Sequence, residues 1–144
     1  MLIVENLECF LRFERIYPSA NLAPFENGRL SERIIDRLAA SEGTSDFVHL
    51  PDYDPVGLAE YQRLRKRLGT RVRLHVPENL DQLFAELADT ELIRSRPRNQ
   101  ETLSFLVDSE LPCDASRRVL TAIRRYGAGL EQEALLLSRE SQPS

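Results

Sequence analysis

Apolar and polar residues alternate along this chain in two rhythms, one with the period of a strand and one spaced for a helix face. "LIV" (residues 2–4) is a short apolar run that reads as a buried strand ended by Glu5-Asn6. A helical stretch follows from about Leu7 to Arg15, and "NLAPF" (21–25) reads as a weak second strand closed by the turn "ENG". In "LSERIIDRLAASEG" the apolar positions Leu30, Ile34, Ile35 and Leu38 recur as on one helix face, with Gly43 as the stop. "DFVHL" (46–50) is a third strand, and the helix after it keeps Leu58, Tyr61, Leu64 and Leu68 on one side before Gly69. "RVRLHV" (71–76) places Val72, Leu74 and Val76 on one face until Pro77 ends the strand, and "ENLDQLFAELAD" (78–89) is a further helix. Strand and helix thus alternate, which predicts an α/β fold with a mainly parallel sheet of about four strands and crossover helices.

The remainder is helical. "NQETLSFLVDSE" and "DASRRVLTAIRRYG" predict two helices, the second with Asp114 as N-cap and Gly127 after its end. "AGLEQEALLL" comes last, before a polar tail that composition predicts to be disordered. The expected organisation is one domain over residues 1–136, with a core at 1–90, a helical extension at 98–136 and a tail at 137–144.

At 144 residues the chain is long enough to bury a core without a disulfide or structural metal. Cys9 and Cys113 have no CxxC spacing or histidine neighbours, so they read as free thiols of a reducing compartment. No apolar run approaches the roughly 20 residues of a membrane span, and the opening "LIVE" has no signal-peptide pattern. A cytoplasmic protein with no membrane partner is the expectation. The formal net charge of −4 argues against wrapping nucleic acid by charge alone. Lys66 is the only lysine. The arginines gather at Arg63–Arg73, which also suits the last turn of a helix, and at "RSRPR" (94–98), which reads as a loop. Arg94, Arg96 and Arg98 are candidate contacts to a phosphate backbone, because the guanidinium fork matches phosphate oxygens.

In a parallel sheet the ligand site forms beyond the carboxyl ends of the strands. Glu5 and the pair Asp52 and Asp54 both fall there. Residues i and i+2 of an extended segment point the same way, roughly 6.5 Å apart, so the two aspartates can face one volume while Glu5 enters from another strand. Three such carboxylates repel unless a cation joins them, and Mg²⁺ suits a few carboxylate oxygens completed by water and phosphate. Asp54-Pro55 equally has the form of a helix N-cap followed by proline at the first helical position, and Glu5 suits a helix N-terminus. His49 and His75 have the chemistry of acid-base groups but read as strand residues. If the aspartates only repel each other, replacing both by alanine leaves folding intact or improved.

"LIVEN" closing a first strand and "HLPDYDPVGL" closing a later one resemble the Toprim domain, the catalytic core shared by topoisomerases, primases and related nucleases. "VEN", "DxDPxGL" and the terminal "GLEQEAL" together are similar to the C-terminal Toprim domain of the JetD-like nuclease subunits of Wadjet plasmid-defence systems, themselves related to the A subunit of type VI topoisomerases. The resemblance covers residues 2–136. It implies Mg²⁺-dependent DNA cleavage, with Mn²⁺ as a substitute, in which Glu5 is a metal ligand or general acid-base group and Asp52 and Asp54 are the metal-binding DxD. Glu133, and secondarily Glu131, would reach the same acidic cluster. The JetD-like proteins carry an N-terminal winged-helix region, whereas this chain begins at the first strand. DNA grip would then come from a partner protein or a separate module, and Toprim domains often work as homodimers. None of Tyr17, Tyr53, Tyr61 and Tyr126 sits in the context of a topoisomerase nucleophile, which leaves hydrolysis by water. The competing expectation is a non-catalytic Toprim-like module that docks a protein partner. A receiver-like domain is disfavoured because no lysine ends a late strand.

Overall fold

The computed structural model describes residues 1–4, 6–16, 29–41 and 46–140 of the chain. Among them three strands, β1 (Leu2–Val4), β2 (Phe47–Leu50) and β3 (Val72–Leu74), form one parallel sheet with β2 in the middle. Val4 pairs with Leu50 and His49 with Leu74, so the carboxyl ends of the strands lie side by side. Every residue of β1 and β2 is buried, as expected of short strands covered on both faces. Val72 and Leu74 are buried and Arg73 is exposed, following the alternation of the sequence. The remaining expected strand, residues 21–25, lies outside the described residues.

Helices flank this sheet, in an α/β arrangement. The segment after β1 forms two short helices, α1 (Leu7–Leu11) and α2 (Phe13–Ile16), in place of one continuous helix. In α3 (Glu32–Ala40) the Ser31 hydroxyl accepts from Ile34 N (3.4 Å), and the helix closes at Ser41, ahead of the expected Gly43, which lies outside the described residues. The long helix α4 (Pro55–Leu68) buries Leu58, Tyr61, Leu64 and Leu68 and ends at Gly69, as its spacing predicts. A 3-10 turn (Gly69–Arg71) leads into β3, and α5 (Leu80–Leu87) follows.

Three local expectations are corrected. "RSRPR" is no free loop: Arg94 closes the short helix α6 (Glu91–Arg94), and Arg98 lies in the first turn of α7 (Pro97–Val107), where Pro97 takes the first helical position. The N-cap of α8 (Asp114–Tyr126) is Cys113, in extended conformation with its N–H donated to Ser116 Oγ (3.2 Å). Asp114 is the first helical residue and pairs with Arg117 in the positive end of the helix dipole. Gly127 ends α8 at φ +57°, a left-handed conformation that glycine adopts without a Cβ penalty. Helix α9 (Ala134–Glu140) carries helical backbone into the region expected to be a disordered tail, of which residues 141–144 lie outside the described residues.

The core holds two buried phenols. Tyr53 donates to the His75 carbonyl (2.9 Å), and Tyr61 stacks on His49 with ring centroids 6.1 Å apart while its hydroxyl meets Cys113 Sγ at 3.5 Å. Burial raises the Tyr61 phenol to about 12, helped by Cys113, and burial likewise pushes the Tyr53 phenol up. An ordinary phenol ionises near pH 10, so the unfolded chain gives up these protons first. Stability is therefore fully present below about pH 10 and falls as pH rises from there through about 12. Urea unfolding between pH 8 and pH 11.5 is expected to show a midpoint that drops at the alkaline end, with a smaller drop in Tyr61→Phe. Identical pH profiles for the two proteins would contradict this.

Candidate functional site

The chain leaves β2 extended, and residues 52–54 alternate sides as a strand would. Tyr53 points into the core with no exposed surface, while Asp52 and Asp54 face one cavity. Asp54 is the N-cap of α4: its Oδ1 accepts from Gly57 N (2.7 Å), and Pro55 opens the helix. Its Oδ2 accepts from Asn99 Nδ2 (3.3 Å), and the residue is buried. Alanine at Asp54 would therefore remove a cap and two hydrogen bonds. Relief of repulsion is not the main consequence, contrary to the expectation that folding is untouched. Asp52 is half-buried, and its Oδ1 accepts from Gln132 N (2.9 Å).

The end of the chain is laid across these strand ends. Asp89 and Gly129 exchange backbone hydrogen bonds (2.8 and 3.1 Å), as do Tyr53 and Leu130 (2.7 and 3.0 Å), both as antiparallel bridges. A Cβ on Gly129 would come within 3.0 Å of Asp54 Cβ, so glycine is what lets this strap lie so close. Glu133 Oε1 then accepts from Asn6 Nδ2 (2.8 Å), and Asn6 Oδ1 in turn accepts from Cys9 N (3.1 Å) at the start of α1. The strap is thereby fixed to the exits of both β1 and β2.

The cavity, about 450 Å³, opens between the N-terminal halves of α4 and α7. Asp52, Asp54 and Glu60 line it together with Arg29, Arg63, Arg96 and Arg98. Four arginines and three carboxylates therefore line the same cavity, groups suited to an anion beside groups suited to a cation. Arg63 is held by Glu60, Glu32 and the Leu30 carbonyl (2.5 Å), and Arg29 Nε is 3.4 Å from Glu60. Arg96 and Arg98 are exposed on the rim, with Arg96 3.8 Å from Glu131. Arg94 is exposed and lies outside the cavity lining. Most of the Arg63–Arg73 cluster serves the fold: Arg65 bonds the Val72 carbonyl (2.9 Å), Arg67 pairs with Glu32 and Asp36, and Arg71 lies 5.1 Å over the Phe47 ring.

Of the expected acidic residues, Asp52 and Asp54 come together, Glu131 reaches the arginine rim, and Glu133 sits at the exit of β1. Glu5, the third expected ligand, lies outside the described residues. Among the described residues no three His, Cys, Asp or Glu side chains form a metal-holding group. A carboxylate offers about four lone-pair directions, so the hydrogen bonds to Asp52 and Asp54 are compatible with a cation on the same groups. The donors are hard oxygens beside an arginine rim, which suits Mg²⁺ completed by water and phosphate. His49 and His75 take no part in the cavity: His49 is buried in β2 against Tyr61, and the His75 carbonyl holds Tyr53.

Sequence reasoning missed Asn99 and Gln132, and nothing local marks either one. Asn99, buried on α7, accepts from Val56 N (3.1 Å) and donates to Asp54 Oδ2 and the Leu92 carbonyl (2.8 Å). It clamps the start of α4 to α6 and α7. Asn99→Leu would leave Val56 N and the Leu92 carbonyl unsatisfied, at an expected cost of about 3 kcal/mol. Chemical denaturation checks this, and a change below about 1 kcal/mol would contradict the clamp. No helix among the described residues is long and apolar enough to cross a membrane. Compared with known proteins, the chain matches no family model, no curated protein and no solved structure.

Proposed function

We propose that this cavity binds a phosphodiester with a divalent cation and hydrolyses it, as the resemblance to Toprim nuclease domains implies. The observation that carries the reading is that Asp52 and Asp54, at the exit of the central strand, share one cavity with four arginines. In this reading Asp52, Asp54 and Glu5 hold Mg²⁺, or Mn²⁺ in its place, and Glu133 supports them through its tie to Asn6. When bound, the cation polarises a phosphoryl oxygen and offsets the charge growing on the leaving oxygen. Arg96 and Arg98 seat the phosphate on the rim, and Arg63, fixed by Glu60, faces it from α4. Water attacks, since the buried Tyr53 and Tyr61 phenols are committed to the core. DNA is the proposed substrate, gripped with the help of a partner protein, a separate module or a second copy of the chain, in a role such as plasmid defence.

A second reading, a non-catalytic docking module of a DNA-processing complex, is favoured by one observation: both Asp54 oxygens and Asp52 Oδ1 already accept hydrogen bonds within the fold. End-labelled single- and double-stranded DNA incubated with Mg²⁺ separates the two. Cleavage that EDTA abolishes and Asp52→Asn lowers on the order of 100-fold is expected. Cleavage that EDTA does not touch, or that is unchanged in Asp52→Asn, would contradict the nuclease reading.

A further inference from the structure

Gln132 has no exposed surface, and its polar atoms are unevenly matched. Its backbone N–H donates to Asp52 Oδ1 (2.9 Å) and its Nε2 to the Leu50 carbonyl (2.8 Å), while Oε1 meets no donor among the described residues. A buried acceptor left without a partner carries an uncompensated desolvation cost. Turning the amide over would not help, because Oε1 would then face the Leu50 carbonyl, acceptor against acceptor. An apolar side chain of similar size would avoid that cost at Oε1, at the loss of the bond to the Leu50 carbonyl. The position gives the oxygen a use. Leu50 ends β2 and pairs with Val4, which ends β1, and Glu133, the next residue in the strap, is bonded to Asn6. The amide of Gln132 thus lies at the joint exit of the two strands that deliver the acidic residues, with its own backbone on Asp52.

The geometry points to Gln132 as a neutral oxygen ligand in the coordination shell of the cation held by Asp52. The inference rests on the cation-binding reading above and adds to it a residue that the acidic pattern did not contain. A hard cation accepts amide carbonyl oxygens as readily as carboxylates, and a neutral ligand adds an oxygen without adding repulsion to the acidic group. The strap then has two tasks: it closes the fold against Tyr53 and it completes the cation shell.

Two variants separate ligation from structure. Gln132→Met and Gln132→Glu both lose the Nε2 donor to the Leu50 carbonyl, and Gln132→Glu also sets a buried oxygen against it, so a purely structural role predicts that Gln132→Glu is at least as impaired as Gln132→Met. Only Gln132→Glu keeps an oxygen where Oε1 stands. With Mn²⁺ binding followed through the resonance of the free ion, Gln132→Met is expected to weaken binding at least fivefold, and Gln132→Glu to keep or tighten it. The unaltered protein gives an independent readout that needs no variant: in ¹³C-labelled protein titrated with Mg²⁺, the Gln132 Cδ signal is expected to shift with the same midpoint as Asp52 Cγ. Saturable movement of Asp52 Cγ with Gln132 Cδ still, and both variants binding Mn²⁺ as the parent does, would overturn the ligand role and leave the cation site standing. No saturable shift at either carbon would overturn both.

Discussion

Replacing Gly57 by alanine is expected to cost about 3 kcal/mol of stability and to disorganise the Asp52–Asp54 turn, although Gly57 bears no functional group. A Cβ at this position would lie 2.1 Å from the Asp52 carbonyl oxygen, 3.1 Å from the Asp52 carbonyl carbon and 3.2 Å from Pro51 Cβ. These contacts are with backbone and a proline ring, which cannot swing aside as a long side chain would. Alanine normally strengthens a helix relative to glycine, by about 1 kcal/mol, so the expected sign is opposite to helix propensity. Relief of the clash requires the turn to move away from α4, which pulls the Asp54 carboxylate from Gly57 N and shifts Asp52 relative to the strap. Urea denaturation and Mn²⁺ affinity of Gly57→Ala are therefore expected to fall together. Parent-like or higher stability would show that the turn and helix do not pack as described.

The largest expected effect on function belongs to the aspartates, and the two differ. Asp52→Asn keeps an oxygen for Gln132 N and changes the fold little, yet it removes the negative charge facing the arginines, so a loss of divalent-cation affinity of at least about tenfold is expected. Asp54→Asn keeps a cap oxygen for Gly57 N but sets an amide N–H₂ against the N–H₂ of Asn99, at about 1 kcal/mol, whereas Asp54→Ala also loses the cap, at about 2–3 kcal/mol. Stability thus ranks Asp52→Asn above Asp54→Asn above Asp54→Ala, while cation affinity falls in all three. Thermal melts beside Mn²⁺ titrations check both orders, and Asp54→Ala melting with the parent protein would remove the cap from the description.

The parallel strands and α4 were legible because their signals are local: short apolar runs for β1 and β2, alternation for β3, and the face of Leu58, Tyr61, Leu64 and Leu68 ended by Gly69 for α4. The placement of Asp52 and Asp54 was legible for the same reason, since two-residue alternation puts them on one side of an extended segment. Of the two roles weighed for Asp54 the helix cap is present, and a cap uses only part of a carboxylate's accepting capacity. What could not be read is long-range. Asn99 lies 45 residues from the carboxylate it holds, and Gln132 lies 80 residues from Asp52. No periodicity connects residues so far apart. Arg94, Arg96 and Arg98 looked equivalent as a loop, but helix geometry at α6 and α7 sends only Arg96 and Arg98 to the cavity. Arg63 was hidden in a run of cations in which Arg65, Arg67 and Arg71 serve β3, α3 and β2.

The most direct test of a cation site at the sheet exit is a titration of Mn²⁺ into ¹⁵N-labelled protein, read as paramagnetic broadening of backbone amides. Selective loss of the signals of residues 5 and 6, of Asp52 to Asp54 with Val56 and Gly57, and of Glu131 to Glu133, with the rest of the spectrum sharp, is the predicted result. Uniform broadening, or none, would contradict it and leave "DYDP" as a turn and a helix cap in a docking module.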